Sequence, residues 1–183
     1  MATVLVPLAQ GCEEIEAVTV IDLLRRAGIK VVTASLSDEP VQASRGVTLI
    51  ADTTLDKVLD REFDMIVLPG GSSGADHLDG DARIRDLLDK MQKSGKFTAA
   101  ICAAPKVLAN AGLLRGRKAT SYPGILEKMG LTEVTLSAEA VVRDGKVITS
   151  RGPGTAMDFA LALIETLVGK EKRNEVEAAL VRS

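Results

Sequence analysis

Hydrophobic and polar positions alternate in blocks along this chain. Thr3–Ala9 is a short, continuous apolar run bounded by polar residues, which predicts a buried strand. Over Glu16–Ala27 the residues Ile15, Val18, Ile21, Leu23 and Leu24 recur near helical spacing, and Gly28 supplies a stop. Ile29–Ser35 is the next β-branched run. Val41–Ser44 and Val47–Ala51, joined around Arg45-Gly46, predict a small hairpin. A short helix is predicted near Leu55–Leu59, a strand over Asp64–Pro69 closed by Gly70-Gly71, a helix over Ala82–Lys93 and a strand over Lys96–Ile101. Pro105–Asn110 reads as a helix with proline in its first turn, where a missing N–H does no harm. Asp144-Gly145 inside Val141–Ser150 signals a two-residue hairpin, and Ala156–Val168 and Glu171–Val181 read as closing helices.

Strands alternating with helices predict an α/β fold, a flavodoxin-like three-layer sandwich with a mainly parallel sheet. Composition supports this. Residues of the hydrophobic class make up 46% of the 183 residues but aromatic ones only 2%, so the core must be aliphatic, as parallel sheets usually are. No linker or low-complexity tract divides the chain, and one domain over 1–183 is expected.

Lysine and arginine number 23 against 25 acidic residues, so no basic surplus points to general nucleic-acid binding. The start of the chain has no signal-peptide pattern and no segment is long enough to span a bilayer, which together predict a cytoplasmic, membrane-free protein. Two cysteines without CxxC spacing and one histidine do not make a usual structural zinc set, so no metal is expected.

In open parallel sheets, sites gather beyond the carboxyl ends of the strands. Four unusual segments reach that edge: Gln10–Glu16, Pro69–Gly74, Ile101–Pro105 and Arg151–Thr155. In Ala99-Ala100-Ile101-Cys102-Ala103-Ala104-Pro105 a cysteine stands where strand passes to helix, among small residues that a sharp nucleophile elbow requires. The helix N-terminus beneath it would favour the thiolate. An inert, buried cysteine filling a strand end satisfies the local pattern equally well.

The motifs Ala-Ile-Cys-Ala-Ala-Pro (100–105), Val-Leu-Pro-Gly-Gly (67–71), Gly-Cys-Glu-Glu-Ile-Glu (11–16) and Ser-Arg-Gly-Pro-Gly-Thr (150–155), in this order, resemble the ThiJ/PfpI superfamily, in its protein deglycase and YajL-like branch. The resemblance extends over essentially the whole chain and implies a class I glutamine amidotransferase-like fold. It implies Cys102 as nucleophile, Glu16 as its acid/base partner, and the N–H groups of Gly71 and Ala103 as an oxyanion pocket. Gly70, Tyr122, Arg26, Arg45 and Pro153 become pocket candidates, the two arginines approaching near a subunit interface. A carboxylic acid at Glu16 can donate to a neighbouring thiolate, so the pair is expected to share a proton.

Cys12 is expected on the rim, as a packing residue or as a disulfide partner for oxidised Cys102. Glu13 and Glu14 read as solvated or capping residues, and His77 as a surface histidine. Ala103 stands where proteolytic members of the superfamily have histidine, and Tyr122 where the deglycase branch often does, so a cysteine protease is disfavoured. The implied activity is a cofactor-free glyoxalase or deglycase acting on methylglyoxal, glyoxal or their adducts, in a homodimer with the first helix near the contact. The alternative is an oxidative-stress sensor and redox-regulated chaperone working through Cys102.

Overall fold

The computed structural model describes residues 1–182. The chain runs β1 (Thr3–Leu8), α1 (Glu14–Arg26), β2 (Lys30–Ser35), β3 (Val41–Gln42), β4 (Thr48–Leu49) and β5 (Thr53–Thr54). A 3₁₀ turn over Leu55–Val58 leads to β6 (Met65–Leu68), α2 (Ser72–Gly80), α3 (Ala82–Lys93), β7 (Phe97–Ile101) and α4 (Pro105–Asn110). Then come β8 (Lys118–Ala119), β9 (Thr135–Leu136), β10 (Val141–Asp144), β11 (Val147–Ser150), α5 (Ala156–Val168) and α6 (Lys170–Ala179).

The main sheet has the order β10-β11-β7-β6-β1-β2-β5, antiparallel only where β10 meets β11. Its parallel strands β2-β1-β6-β7-β11 follow the flavodoxin-like order, and the direction of winding reverses between β1 and β6. Right-handed crossovers on either side of that reversal put helices on opposite faces. α1 packs with α5, which also carries α6, while α2 packs with α3 and α4. The predicted fold class is therefore the observed one, with helices flanking a mainly parallel sheet. Fully buried Leu5, Leu8, Leu24, Met65, Ile66, Leu68 and Ile101, with Phe159, make the interior aliphatic.

One local reading needs correction. The face of α1 turned to the core carries Ala17, Val20, Leu23 and Leu24, whereas Ile15 and Val18 are 55% and 46% exposed. The apolar stripe read from spacing therefore mixes two faces of the helix. After Gly71, where the chain is expected to form a loop or begin a helix, it forms α2. Its Ser-Ser-Gly opening has weak helix propensity, but Gly74 is needed there: a Cβ at that position would lie 2.7 Å from Cys12 Cα.

Candidate active site

The carboxyl ends of β1, β6 and β7 converge at the winding reversal, and each delivers one part of the site. Cys102 follows β7 with φ of 65°, a left-handed conformation that costs a non-glycine residue about 1–2 kcal/mol. Neighbouring chain holds it there. Its N–H donates to the Ser150 carbonyl at 3.0 Å, and its carbonyl accepts from Tyr122 N–H at 2.8 Å. Buried Ala100, Ala103 and Ala104 leave room for the turn. The cysteine is 9% exposed and opens into a cavity of about 680 Å³.

Glu16 reaches the same point from the first turn of α1 and is fully buried. The Glu13 side chain caps this helix by accepting from Glu16 N–H at 2.9 Å. Glu16 Oε2 accepts from Gly70 N–H at 2.8 Å, while Oε1 is buried with no protein partner in hydrogen-bond geometry. Gly70 is the floor between the two groups. A Cβ there would lie 2.6 Å from both Cys102 Cβ and Glu16 Oε2, so only glycine lets cysteine and carboxyl meet.

Burial pushes the Glu16 pKa up to about 7, against the opposing pull of the Cys102 thiol and the Gly70 N–H. Burial, and then the Glu16 charge, push the Cys102 thiol up to about 12, against the N–H groups of Gly71 and Ala103. This corrects the expectation of a thiolate held by a helix N-terminus: α4 is only six residues long, and burial beside a carboxylate outweighs its dipole. Between these two values the pair holds one proton. That proton can sit on the sulfur, giving thiol and carboxylate, or on Glu16, giving thiolate and carboxylic acid. The Gly71 and Ala103 N–H groups act on the sulfur itself, so they stabilise that second arrangement.

Of the other predicted residues, Gly71, Ala103, Tyr122, Arg45 and Pro153 line the cavity with Cys102. The Tyr122 ring is half exposed and lies against Gly152. Arg26 does not join them within this chain. It ends α1, and its Nε donates to Asp22 at 2.9 Å. Cys12 is 1% exposed and packs beneath the loop instead of lining the cavity; burial raises its pKa to about 11. That favours its packing role. His77 accompanies the Gln10 carbonyl outside the cavity.

Glu13, Ser72, Ser73 and Ile125 line the cavity without having been singled out as pocket residues. Ser72 and Ser73 were legible in principle, because Gly-Gly-Ser-Ser after a strand is a helix-start pattern. Glu13 and Glu14, expected as solvated or capping residues, are buried, and Glu13 takes the capping role at the start of α1. Among the described residues no cluster of three or more His, Cys, Asp or Glu is placed to hold a metal, and no helix is long and apolar enough to cross a membrane.

A strained cysteine elbow beside a buried glutamic acid, at the winding reversal of a flavodoxin-like sheet, defines a class of cysteine-centred α/β proteins. The sequence profile of the DJ-1/PfpI family matches residues 2–166, and the chain belongs to that family. It is similar to Protein dj-1beta of Drosophila melanogaster, with 46% identity covering 97% of this chain and 95% of that protein. Protein DJ-1 homolog A of Arabidopsis thaliana is 44% identical across 98% of this chain, which spans about half (46%) of that relative's length. Glutathione-independent glyoxalase DJR-1.2 of Caenorhabditis elegans is 39% identical, covering 96% of this chain and 92% of that protein. The crystal structure of Drosophila DJ-1beta superposes with a TM-score of 0.95 at 44% identity, covering 100% of this chain and 98% of that one. Oxidized Toxoplasma gondii DJ-1 gives 0.95 at 42% identity, with full coverage of both chains.

Proposed function

We propose that this protein is a cofactor-free glyoxalase acting on small 2-oxoaldehydes, with Cys102 as nucleophile and Glu16 as the proton carrier. The observation that supports it most is the meeting of a cavity-facing sulfur and a fully buried carboxyl over Gly70. The Cys102 sulfur bonds to the aldehyde carbon of methylglyoxal while the shared proton goes to the new oxygen, giving a hemithioacetal. Glu16 takes the proton from that carbon and returns one to the adjacent carbonyl-derived carbon, leaving a lactoyl thioester. Water cleaves the thioester, releases lactate and restores the thiol. Atoms balance as methylglyoxal plus water, with no outside oxidant. The same addition to an amine-bound adduct, followed by loss of the amine, is the deglycase form of the reaction. We also propose a homodimer, in which exposed Ile15 and Val18 of α1 would be covered.

Purified protein incubated with methylglyoxal should form lactate, and Cys102→Ser and Glu16→Gln should each lose that turnover. Lactate formation that survives in Cys102→Ser would overturn the reading. With Glu16 at about 7, kcat/KM should rise with pH through that value, because below it the base is already protonated. Initial rates between pH 5.5 and 9 test this; a flat profile would remove Glu16 from the proton path.

A second reading is favoured by one observation. The Gly71 and Ala103 N–H groups act on the sulfur, and Glu16 lies beside it, so a sulfinate formed by two equivalents of peroxide would find donors already in place. Mass spectrometry of Cys102 after peroxide, in wild type and Glu16→Gln, tests this oxidative-sensor role. If Glu16→Gln leaves the surviving oxide unchanged, the role loses its support.

A further inference from the structure

Glu14 has no part in the chemistry described above, yet its side chain is buried and fully engaged. Its Oε1 accepts from Arg45 N–H at 2.8 Å and from Val47 N–H at 3.5 Å, and its Oε2 accepts from Ser44 Oγ at 3.0 Å. Burial alone would push this carboxyl up, but its own backbone N–H and the bonds from Ser44, Arg45 and Val47 hold it below the usual carboxylate range. It is a carboxylate clamped onto a turn.

That turn carries Arg45 to the mouth of the Cys102 cavity. Among the residues lining the cavity, Arg45 and Glu13 are the charged ones. Glu13 is engaged as the cap of α1. Arg45 makes no ion pair among the described residues, and its guanidinium's one protein hydrogen bond is a long one, 3.4 Å to the neighbouring Ser44 carbonyl. Within this chain its other donors are therefore unpaired and available to a ligand in the cavity. A guanidinium with free donors beside a nucleophile is suited to a carboxylate on the incoming electrophile.

We propose that Glu14 is a positioning residue, which holds the 44–47 turn so that Arg45 makes the Cys102 cavity select anionic electrophiles, carboxylate-bearing 2-oxoaldehydes in particular. The substrate half of this rests on the glyoxalase reading; the positioning half does not.

Alkylation of Cys102, followed by peptide mass spectrometry, separates the two halves because it requires no turnover. The readout is the iodoacetate rate divided by the iodoacetamide rate. Arg45→Gln should lower this ratio about five-fold, the upper range for an exposed ion pair. Glu14→Gln should lower it by a similar factor, and the double variant should fall no further than Arg45→Gln, because both act through one guanidinium. The sign is diagnostic. Removing a carboxylate near the cavity would by itself attract the anion and raise the ratio, so a rise or no change in Glu14→Gln overturns the proposal. Ser44→Ala removes one tether without changing charge, and should lower the ratio about two-fold. It decides the matter if Glu14→Gln does not fold, and an unchanged ratio there also overturns the proposal.

Kinetics with 4,5-dioxopentanoate, a 2-oxoaldehyde with a carboxylate, and with neutral methylglyoxal complete the test. Glu14→Gln should raise KM for the anionic substrate more than for the neutral one. An equal rise for both overturns the substrate half. Product from neither substrate, with the alkylation pattern intact, overturns the glyoxalase reading and leaves Glu14 in its positioning role.

Discussion

Gly71→Ala should destabilise the protein by about 3–5 kcal/mol, lowering Tm by roughly 10 °C or more. Gly71 has φ of 85° and ψ of 126°, a region closed to residues with a Cβ. A Cβ there would also lie 2.3 Å from the Gly11 carbonyl oxygen and 2.8 Å from Glu13 N. Both are backbone atoms, so no side chain can swing aside. The loop between β1 and α1 would have to move, with the bonds from Glu13 N–H to the Gly70 carbonyl and from Gly74 N–H to the Gly11 carbonyl. That loop leads directly into Glu16, so activity should fall with stability. Gly80→Ala is the control: Gly80 ends α2 with no atom near its missing Cβ, and the change should be neutral or slightly stabilising. Thermal melts of the two variants check the contrast. Equal Tm values would show that the Gly71 backbone adapts and that the loop is not held by close contact.

Glu16→Gln should stabilise the fold in alkaline solution while destroying the proposed activity. The native pKa of about 7 lies above the ordinary value of 4.5, so the folded state holds this proton more tightly than the unfolded chain does. The stability this gives is complete below pH 4.5 and is lost as pH rises through about 7. Above that, the fold carries a buried carboxylate at a penalty of about 3 kcal/mol. Glutamine is neutral at every pH and retains an oxygen for the Gly70 N–H. The variant should therefore match wild type near pH 4.5 and exceed it by about 3 kcal/mol at pH 8, or roughly 5–10 °C in Tm. Melts at the two pH values check it. A difference that does not change with pH would mean that Glu16 is not held protonated by burial. The same substitution removes the charge that helps to keep Cys102 protonated, so the thiol pKa should fall from about 12.

The alternation of strand and helix was legible because apolar periodicity and Gly or Pro breaks coincide. α3, α4 and α5 begin and end where that pattern predicts. Residues 111–140 were not legible. β8 and β9 are two residues each, too short for any period, and bonds from distant chain hold them: Gly116 N–H to the Glu133 carbonyl, Lys118 N–H to Asp144 Oδ2. α2 stayed open between loop and helix because Gly74 reads as a breaker until its contact with Cys12 is seen.

Within the candidate site, only Cys102 stood out by its place between strand and helix; Glu16, Gly70 and Gly71 entered through the family resemblance. Their protonation was not available at that level. Whether a thiol beside a helix start becomes an anion depends on water exclusion and on the nearest charge, and both are properties of the assembled fold. Arg26 and Arg45 make the same point. They are equal as sequence, but folding sends one to the far end of α1 and ties the turn of the other to Glu14 at the cavity. Local pattern sets which elements form and which residues punctuate them. Packing alone sets dielectric, distance and partner, because those arise from chain segments tens of residues apart.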